Sequence, residues 1–450
     1  MVGKRENFGS RRAAIYAMAG AAIGLGNIWR FPYIVGQNGG AAFIVIYLAA
    51  TLILSLPILL AESIIGRSSQ ANAYGAMAKL APGTAWKWGG LLTVISPLII
   101  VSYYSVVGGW SIGYLIRSIG MGFSENVSDS FSSFVSNPWM PLICHTVFIL
   151  ATVLVVSAGV KSGLEKFNKM SLPLLFAMIV IIMGYSLSLP GSSEGVRYLV
   201  APDFSKITPA VMASAMGQSF YSLSLGVGAV LIYSSYMKKS DSLLGSGTGT
   251  AIFDILFALI AGFAIMPAVF AAGIEPGAGP GLVFETLPFI FVKMGEASPL
   301  LSRAVSIIFF LTIAIAALTS SISMCEVGVA YLVEEKGISR KKACALVLVG
   351  TWLAGVLCSL SFGPLSGFTI AGFRLFDLFD YVTSNYLLTL GSLMYVIFVG
   401  WQMKKAVVRD EFTNGGTLKT SSKLFGAVYF SIRYIAPPAI IIIFLSNLLA

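Results

Sequence analysis

An all-α integral membrane protein with eleven spans is the fold class this sequence predicts, and three observations predict it. Of its 450 residues, 57% are hydrophobic and only 11% charged, against ~25% charged in soluble domains. Apolar runs of roughly 20 residues, the length a helix needs to cross a bilayer, recur along the whole chain. Two runs, the first and the sixth, are interrupted mid-span by glycines and polar residues. No soluble interior of this chain length could hide so much apolar surface. The runs also lack the short alternation of a membrane barrel.

The spans fall near residues 11–36, 41–66, 87–119, 140–158, 166–189, 208–236, 246–272, 300–333, 340–360, 373–402 and 424–448. Residues 1–10 form an N-terminal tail, and the Pro- and Gly-containing stretch 274–298 is too polar to cross, so a structured external loop is expected there. The whole of 1–450 reads as a single transmembrane domain. The basic start (Lys4, Arg5, Arg11, Arg12) runs directly into a full-length span with no small-residue cleavage site, so no cleavable signal peptide is expected.

Taken in order, the spans differ in what interrupts them. The first carries Gly20-Ala21-Ala22-Ile23-Gly24-Leu25-Gly26-Asn27-Ile28-Trp29-Arg30-Phe31-Pro32. Each glycine costs ~1 kcal/mol relative to alanine in a helix, and Pro32 removes a donor. A glycine-rich packing face is the alternative, but Asn27 and Arg30 make a poor packing face and a good break. The second span holds one acid, Glu62, read as structural hydrogen bonding. The fourth holds the only histidine, His145, read as a satisfied intramembrane side chain, with proton coupling as the alternative. The fifth has Gly163 and Pro173. The sixth breaks again, in Gly217-Gln218-Ser219-Phe220-Tyr221-Ser222-Leu223-Ser224-Leu225-Gly226-Val227-Gly228. The seventh carries Asp254, and an intramembrane carboxylate is costly enough to suggest a role. The eighth carries Thr319-Ser320-Ser321, which alone reads as hydroxyls bonding their own helix. On the tenth, Asp377 and Asp380 share one face.

Breaks in the first and sixth spans, five spans apart, are the mark of an inverted five-helix repeat, 1–5 and 6–10, with a ligand site at the midplane. Broken helices offer N–H groups to a carboxylate and C=O groups to a cation.

Charge sets orientation. The net charge is +10, and 21 of the 29 basic residues lie in the N-terminal tail and alternate loops, while the 119–139 loop has none. That is the positive-inside pattern, with the N-terminus cytoplasmic and the C-terminus extracellular in a cell membrane. No aromatic-interleaved basic stripe suggests nucleic acid. Cys144, Cys325, Cys344 and Cys358 have neither disulfide nor zinc spacing. No nucleophile–base–acid set is present, so an enzyme is not expected. Gly245-Ser246-Gly247-Thr248-Gly249-Thr250 follows no strand and lacks a Gly-Lys-Ser/Thr ending, so it reads as a flexible turn and not a phosphate cradle. Asn126-Val127-Ser128 fits a glycosylation sequon and carries little weight.

The run Gly24-Leu25-Gly26-Asn27-Ile28-Trp29-Arg30-Phe31-Pro32 resembles the first-helix signature of the neurotransmitter:sodium symporter family, in its bacterial eleven-helix amino-acid transporter branch with the leucine-transporter fold. The resemblance covers practically the whole chain; the twelfth helix of many relatives is not expected. It implies two sodium sites: a first at Ala22, Asn27, Ser222 and Asp254, and a second at Gly20, Ile23, Ala316, Thr319 and Ser320. Oxygen donors of this kind suit a hard cation. It assigns the substrate carboxylate to Tyr104 and the amides of Leu25 and Gly26. The amine falls to Ala22, Tyr221 and Ser224, with Ser222 alongside, and the side chain to Ile100, Tyr221, Val227, Ser320 and Met324. Arg30 is expected to pair with Asp380 or Asp377 outside, and Arg5 with Glu334 inside, near Ser235 and Tyr236. Phe8 stands where the family has tryptophan. Gly163 and Pro173 match a motif linked to unwinding of the fifth helix, with a plain proline kink as the alternative.

Tyr47, Gln218 and Ser222 match chloride-site positions, but Ala258 lacks the usual polar group and Asp254 replaces an asparagine, so chloride independence is expected. Val227 stands where a leucine-selective relative has phenylalanine, which implies room for large hydrophobic or aromatic neutral L-amino acids; a charged side chain would be buried unpaired. The implied function is sodium-coupled symport by alternating access. A proton-coupled transporter of the same fold and a non-transporting amino-acid sensor are the alternatives.

Overall fold

The computed structural model describes residues 6–120, 122–123, 126–273, 283–418 and 422–449, and of residues 286, 447 and 449 the backbone alone. Nine helices are long and apolar enough to cross a membrane unbroken, counting the described residues. The first and sixth spans, each in two pieces, bring the number to eleven. The bounds agree with the sequence reading to within three residues or so except at the start of the fifth span, which begins six residues earlier, at Val160.

Span 1 starts at Arg11, where the Ser10 hydroxyl accepts from the Ala13 N–H at 3.2 Å. The α-helix stops at Ala22, with Ile23 extended (φ −72°, ψ 108°). It resumes as a wide turn over Gly26–Arg30 and an α-helix over Phe31–Gln37. Span 6 is capped by Thr208, runs Pro209–Ser222, and resumes over Ala229–Ser235. Between the pieces Ser224, Gly226 and Gly228 all have positive φ. Gly226 is obligatory on two counts: its φ is +81°, and a Cβ there would collide with the Leu388 carbonyl. Ser224 has a Cβ at φ 52°, a strain of about 1–3 kcal/mol that its surroundings must hold.

The two longest helices, Trp86–Ile119 and Pro299–Lys336, pack against each other beside the broken pair. Each exceeds the roughly 20 residues a bilayer needs, so each projects beyond the apolar layer or tilts within it. Around them lie Ala41–Ser69, Leu243–Ala271, Val160–Ser188 and Leu375–Gln402. Met140–Ser157 and Arg340–Leu360 present Ile143, Leu154, Val349 and Leu353 outward, all about half exposed or more. On a multi-pass membrane protein these are faces for lipid.

Several features depart from the sequence reading. Residues 245–250 are not a flexible turn but the first turns of the helix Leu243–Ala271, started by the Ser242 hydroxyl accepting from the Gly245 N–H at 3.0 Å. Residues 160–165 are wound as a wide turn at the start of span 5, with Pro173 inside the helix that follows. Short helices Ala73–Leu80 and Lys405–Thr413 and a two-residue hairpin pairing Thr369–Ile370 with Phe373–Arg374 join the spans. Of the expected loop, residues 274–282 lie outside the described residues, and Thr286–Ala297 is helical.

Candidate functional site

The two breaks face each other, and side chains take up the hydrogen bonds the helices give up. In a continuous helix the N–H of Gly24 would bond the carbonyl of Gly20, and that of Leu25 the carbonyl of Ala21. Here Gly24 N–H donates to Asn27 Oδ1 at 3.1 Å and Leu25 N–H donates to the Tyr104 hydroxyl at 3.1 Å. The released Ala21 carbonyl accepts from Ser224 at 3.2 Å and Ser320 at 3.3 Å. In the other break, Gly226 N–H donates to Glu62 Oε1 at 2.7 Å. Glu62 is thus a cap for span 6, in line with its structural reading.

Three of the four residues expected at the first cation position converge. Asp254 accepts from Asn27 Nδ2 and from Ser222 Oγ, each at 2.7 Å, and from the Tyr47 hydroxyl at 3.4 Å. All four side chains are buried. The fourth expected residue, Ala22, lines the neighbouring cavity. At the second position, Thr319 Oγ1 donates to the carbonyls of Ala316 (2.8 Å) and Ile23 (3.2 Å), and Ser320 Oγ reaches Ile23 O at 3.4 Å. Gly20 lies beside this group, against the Asn168 side chain. Among the described residues, no three of His, Cys, Asp and Glu converge. The donors gathered are carbonyls, hydroxyls, an amide and one carboxylate, which suit a hard monovalent cation.

A cavity of about 40 Å³ adjoins both groups, lined by Ala22, Gly24, Gly26, Ile100, Tyr104, Tyr221, Ser224, Val227, Ser320, Met324 and Leu388. Nine of the eleven expected substrate residues are in that lining; Leu25 and Ser222 stand behind it. Gly24 and Leu388 were missed. Gly24 is in the signature but only its closeness to Ser320 and Tyr104 reveals its place, and no local signal marks Leu388. Tyr221 also borders a vestibule of about 560 Å³ with Arg30, Tyr103, Trp110 and Asp380. Tyr221 and Tyr104 line both spaces.

The expected outer pair is not formed in this conformer, and that expectation is corrected. Arg30 sits over the Tyr221 ring, 4.3 Å from its centre. Asp377 is held by Arg374, one helical turn away, at 2.7 Å, and Asp380 accepts from Ser384 at 2.9 Å. Arg30 and both acids border the same vestibule. On the basic side, Arg5 lies outside the described residues. Glu334 accepts from the Asn72 N–H at 2.8 Å and from its side chain at 3.0 Å. The Tyr236 hydroxyl donates to the buried Glu326, at 2.6 Å, and Glu326 also pairs with Arg340. Glu326 and Arg340 were not singled out in the sequence, because nothing local tells a buried acid near a helix end from a solvated one.

Comparison with known proteins accords with this geometry. Residues 5–125 and 122–450 match the sequence model of the "Sodium:neurotransmitter symporter family". Among similar curated proteins, an uncharacterized sodium-dependent transporter of Bacillus subtilis, YhdH, is 36% identical over 448 residues, 98% of each chain. One from Haemophilus influenzae is 33% identical over 461 residues, 99% of this chain and 98% of its own. A solved structure, MhsT in complex with L-phenylalanine, is 41% identical with a TM-score of 0.90, covering 99% of this chain and all of that one.

Proposed function

Because this chain belongs to the sodium:neurotransmitter symporter family, whose members here are sodium-dependent transporters, we propose that it imports neutral L-amino acids with large hydrophobic or aromatic side chains. Uptake is driven by two sodium ions and is independent of chloride. The observation that carries this reading is a largely apolar cavity at two facing helix breaks, with a buried carboxylate cluster one residue behind its wall, through Gly24 and Asn27. The Tyr104 hydroxyl accepts from the Leu25 N–H and lines the cavity, so its own proton can turn to a substrate carboxylate. The Asp254 cluster supplies fixed negative charge that an asparagine would not. The N-terminus and basic loops face the cytoplasm, and the vestibule faces outward.

Side-chain size follows from the lining. Ile100, Val227, Met324 and Leu388 are apolar, and none of the residues lining the cavity is charged. About 40 Å³ does not hold a phenyl ring, so binding needs Met324, which is unbranched and adaptable, or Tyr221 to change rotamer. MhsT, whose solved complex contains L-phenylalanine, supports the aromatic assignment.

The test is sodium-gradient-driven uptake into proteoliposomes of labelled phenylalanine, competed by the twenty amino acids. Large neutral competitors should block it, and replacing chloride with gluconate should leave it unchanged. Uptake lost with chloride, or unaltered in sodium-free buffer, would sink the reading.

A further inference from the structure

We propose that Asn168 is a transient ligand for the second sodium ion, a stepping position between the Ile23–Thr319 site and the cytoplasm. This rests on the second cation site under the proposed function. Asn168 lies in span 5 and is fully buried. Its Nδ2 donates to the Leu164 carbonyl at 2.9 Å, while its Oδ1 is buried with no partner. An unpartnered buried acceptor is costly, and one retained in a packed interior calls for an occupant. That oxygen abuts Gly20, where any Cβ would collide with it. Gly20 is three residues before Ile23, whose carbonyl already gathers Thr319 and Ser320.

A second orphan adjoins the first. The Tyr233 hydroxyl is buried and faces the Asn168 amide, but makes no hydrogen bond of normal geometry. Beyond it, the Phe8 ring meets Tyr233 edge-on at 5.9 Å and Tyr236 at 6.0 Å. Phe8 is 1% exposed and therefore seals this route. From the second site outward, the order is Gly20, Asn168, Tyr233, Phe8. Two neutral oxygens in that order offer a hard cation partial replacement of its water shell. They carry no charge that would trap the ion, and a conducting position must be weak enough to leave. A leucine of similar volume would serve packing alone without leaving an acceptor bare. A resident water joining the two oxygens would satisfy them equally, but would give no link to sodium.

Equilibrium binding of radioactive sodium and its efflux from proteoliposomes test the proposal in Asn168→Leu, Asn168→Asp and Thr319→Ala. Asn168→Asp adds a fixed charge, so it should tighten apparent sodium affinity about five-fold or more and slow efflux. Asn168→Leu should leave equilibrium affinity within about two-fold while slowing efflux about ten-fold, since only the barrier changes. Should the leucine variant fail to fold, the aspartate variant decides alone. Wild-type affinity and efflux in Asn168→Asp would overturn the proposal. Thr319→Ala separates this from failure of the underlying reading. If it lowers bound sodium by one ion while the Asn168 variants behave as wild type, the stepping position alone is wrong. If it leaves bound sodium unchanged, the second site itself is wrong.

Discussion

Under the proposed function, Asp254 is the residue on which ion selectivity would turn. Its carboxylate is held by Asn27, Ser222 and Tyr47 in a fully buried pocket, and on the proposed reading it takes the place of an anion there. Asp254→Asn removes the charge but keeps the shape. Uptake by that variant should fall at least ~10-fold in chloride-free buffer, because an unneutralised cation in low dielectric is expensive, and should recover in part when chloride is restored. A variant equally active with and without chloride would contradict this role. On the same proposal, Val227 would set cargo size. Val227→Phe adds a ring to a lining that has about 40 Å³ free, so the competition panel should shift toward small amino acids, with phenylalanine losing ~10-fold or more in apparent affinity.

Among elements, the short helix Lys405–Thr413 joins spans 10 and 11 and is fastened by one buried ion pair. Arg67, at the end of span 2, is 1% exposed; its Nε lies 2.7 Å from Glu411 Oε2, its Nη1 donates to Asn414 Oδ1 at 2.9 Å, and it also bonds the Asp241 and Glu411 carbonyls. Lys239 bonds the same carboxylate. Glu411→Ala strands a buried guanidinium, so it should destabilise the protein by about 3–5 kcal/mol, visible as a lower Tm in detergent. An unchanged Tm would mean the helix is held by Val408 and Phe412 alone. This helix was not read in the sequence, because nine mostly polar residues between two spans look like any connecting loop. The spans and both breaks were legible, since length, apolarity and glycine spacing are properties of contiguous sequence. Most of the cavity lining followed from the first-helix signature. Leu388, Glu326 and Arg340 did not, because each acquires its place from a partner far away in the chain. Arg30 shows the reverse limit. The two acids expected opposite it share its vestibule, yet it stacks on Tyr221, because the conformer decides whether the side chain crosses to an acid.

At the scale of the whole molecule, the structure is open on one side and sealed on the other. A vestibule of about 560 Å³ ends at Tyr221, while the basic side is closed by Phe8, by the Tyr236–Glu326–Arg340 chain and by Asn72 on Glu334. Inward release must break these contacts, so two states separated by a few kcal/mol are implied, and ligands shift them only through differential affinity. On the proposed function, sodium at the breaks would favour the state in which the two halves of span 1 are held as seen. A substrate bridging spans 1, 3, 6 and 8, as proposed, would favour closure of Tyr221 and Arg30 over it. Both steps can be read from one position. Ser384 borders the vestibule, and the four native cysteines are all buried, so Ser384→Cys gives a single reactive thiol against a low background. A water-soluble thiol reagent should label it faster in sodium than in potassium, by about three-fold or more if sodium shifts the balance by ~1 kcal/mol. Adding phenylalanine in sodium should then slow labelling below the potassium rate. Labelling insensitive to both would mean that the vestibule does not alternate with the sealed side, and a sensor that binds without moving its cargo would fit better.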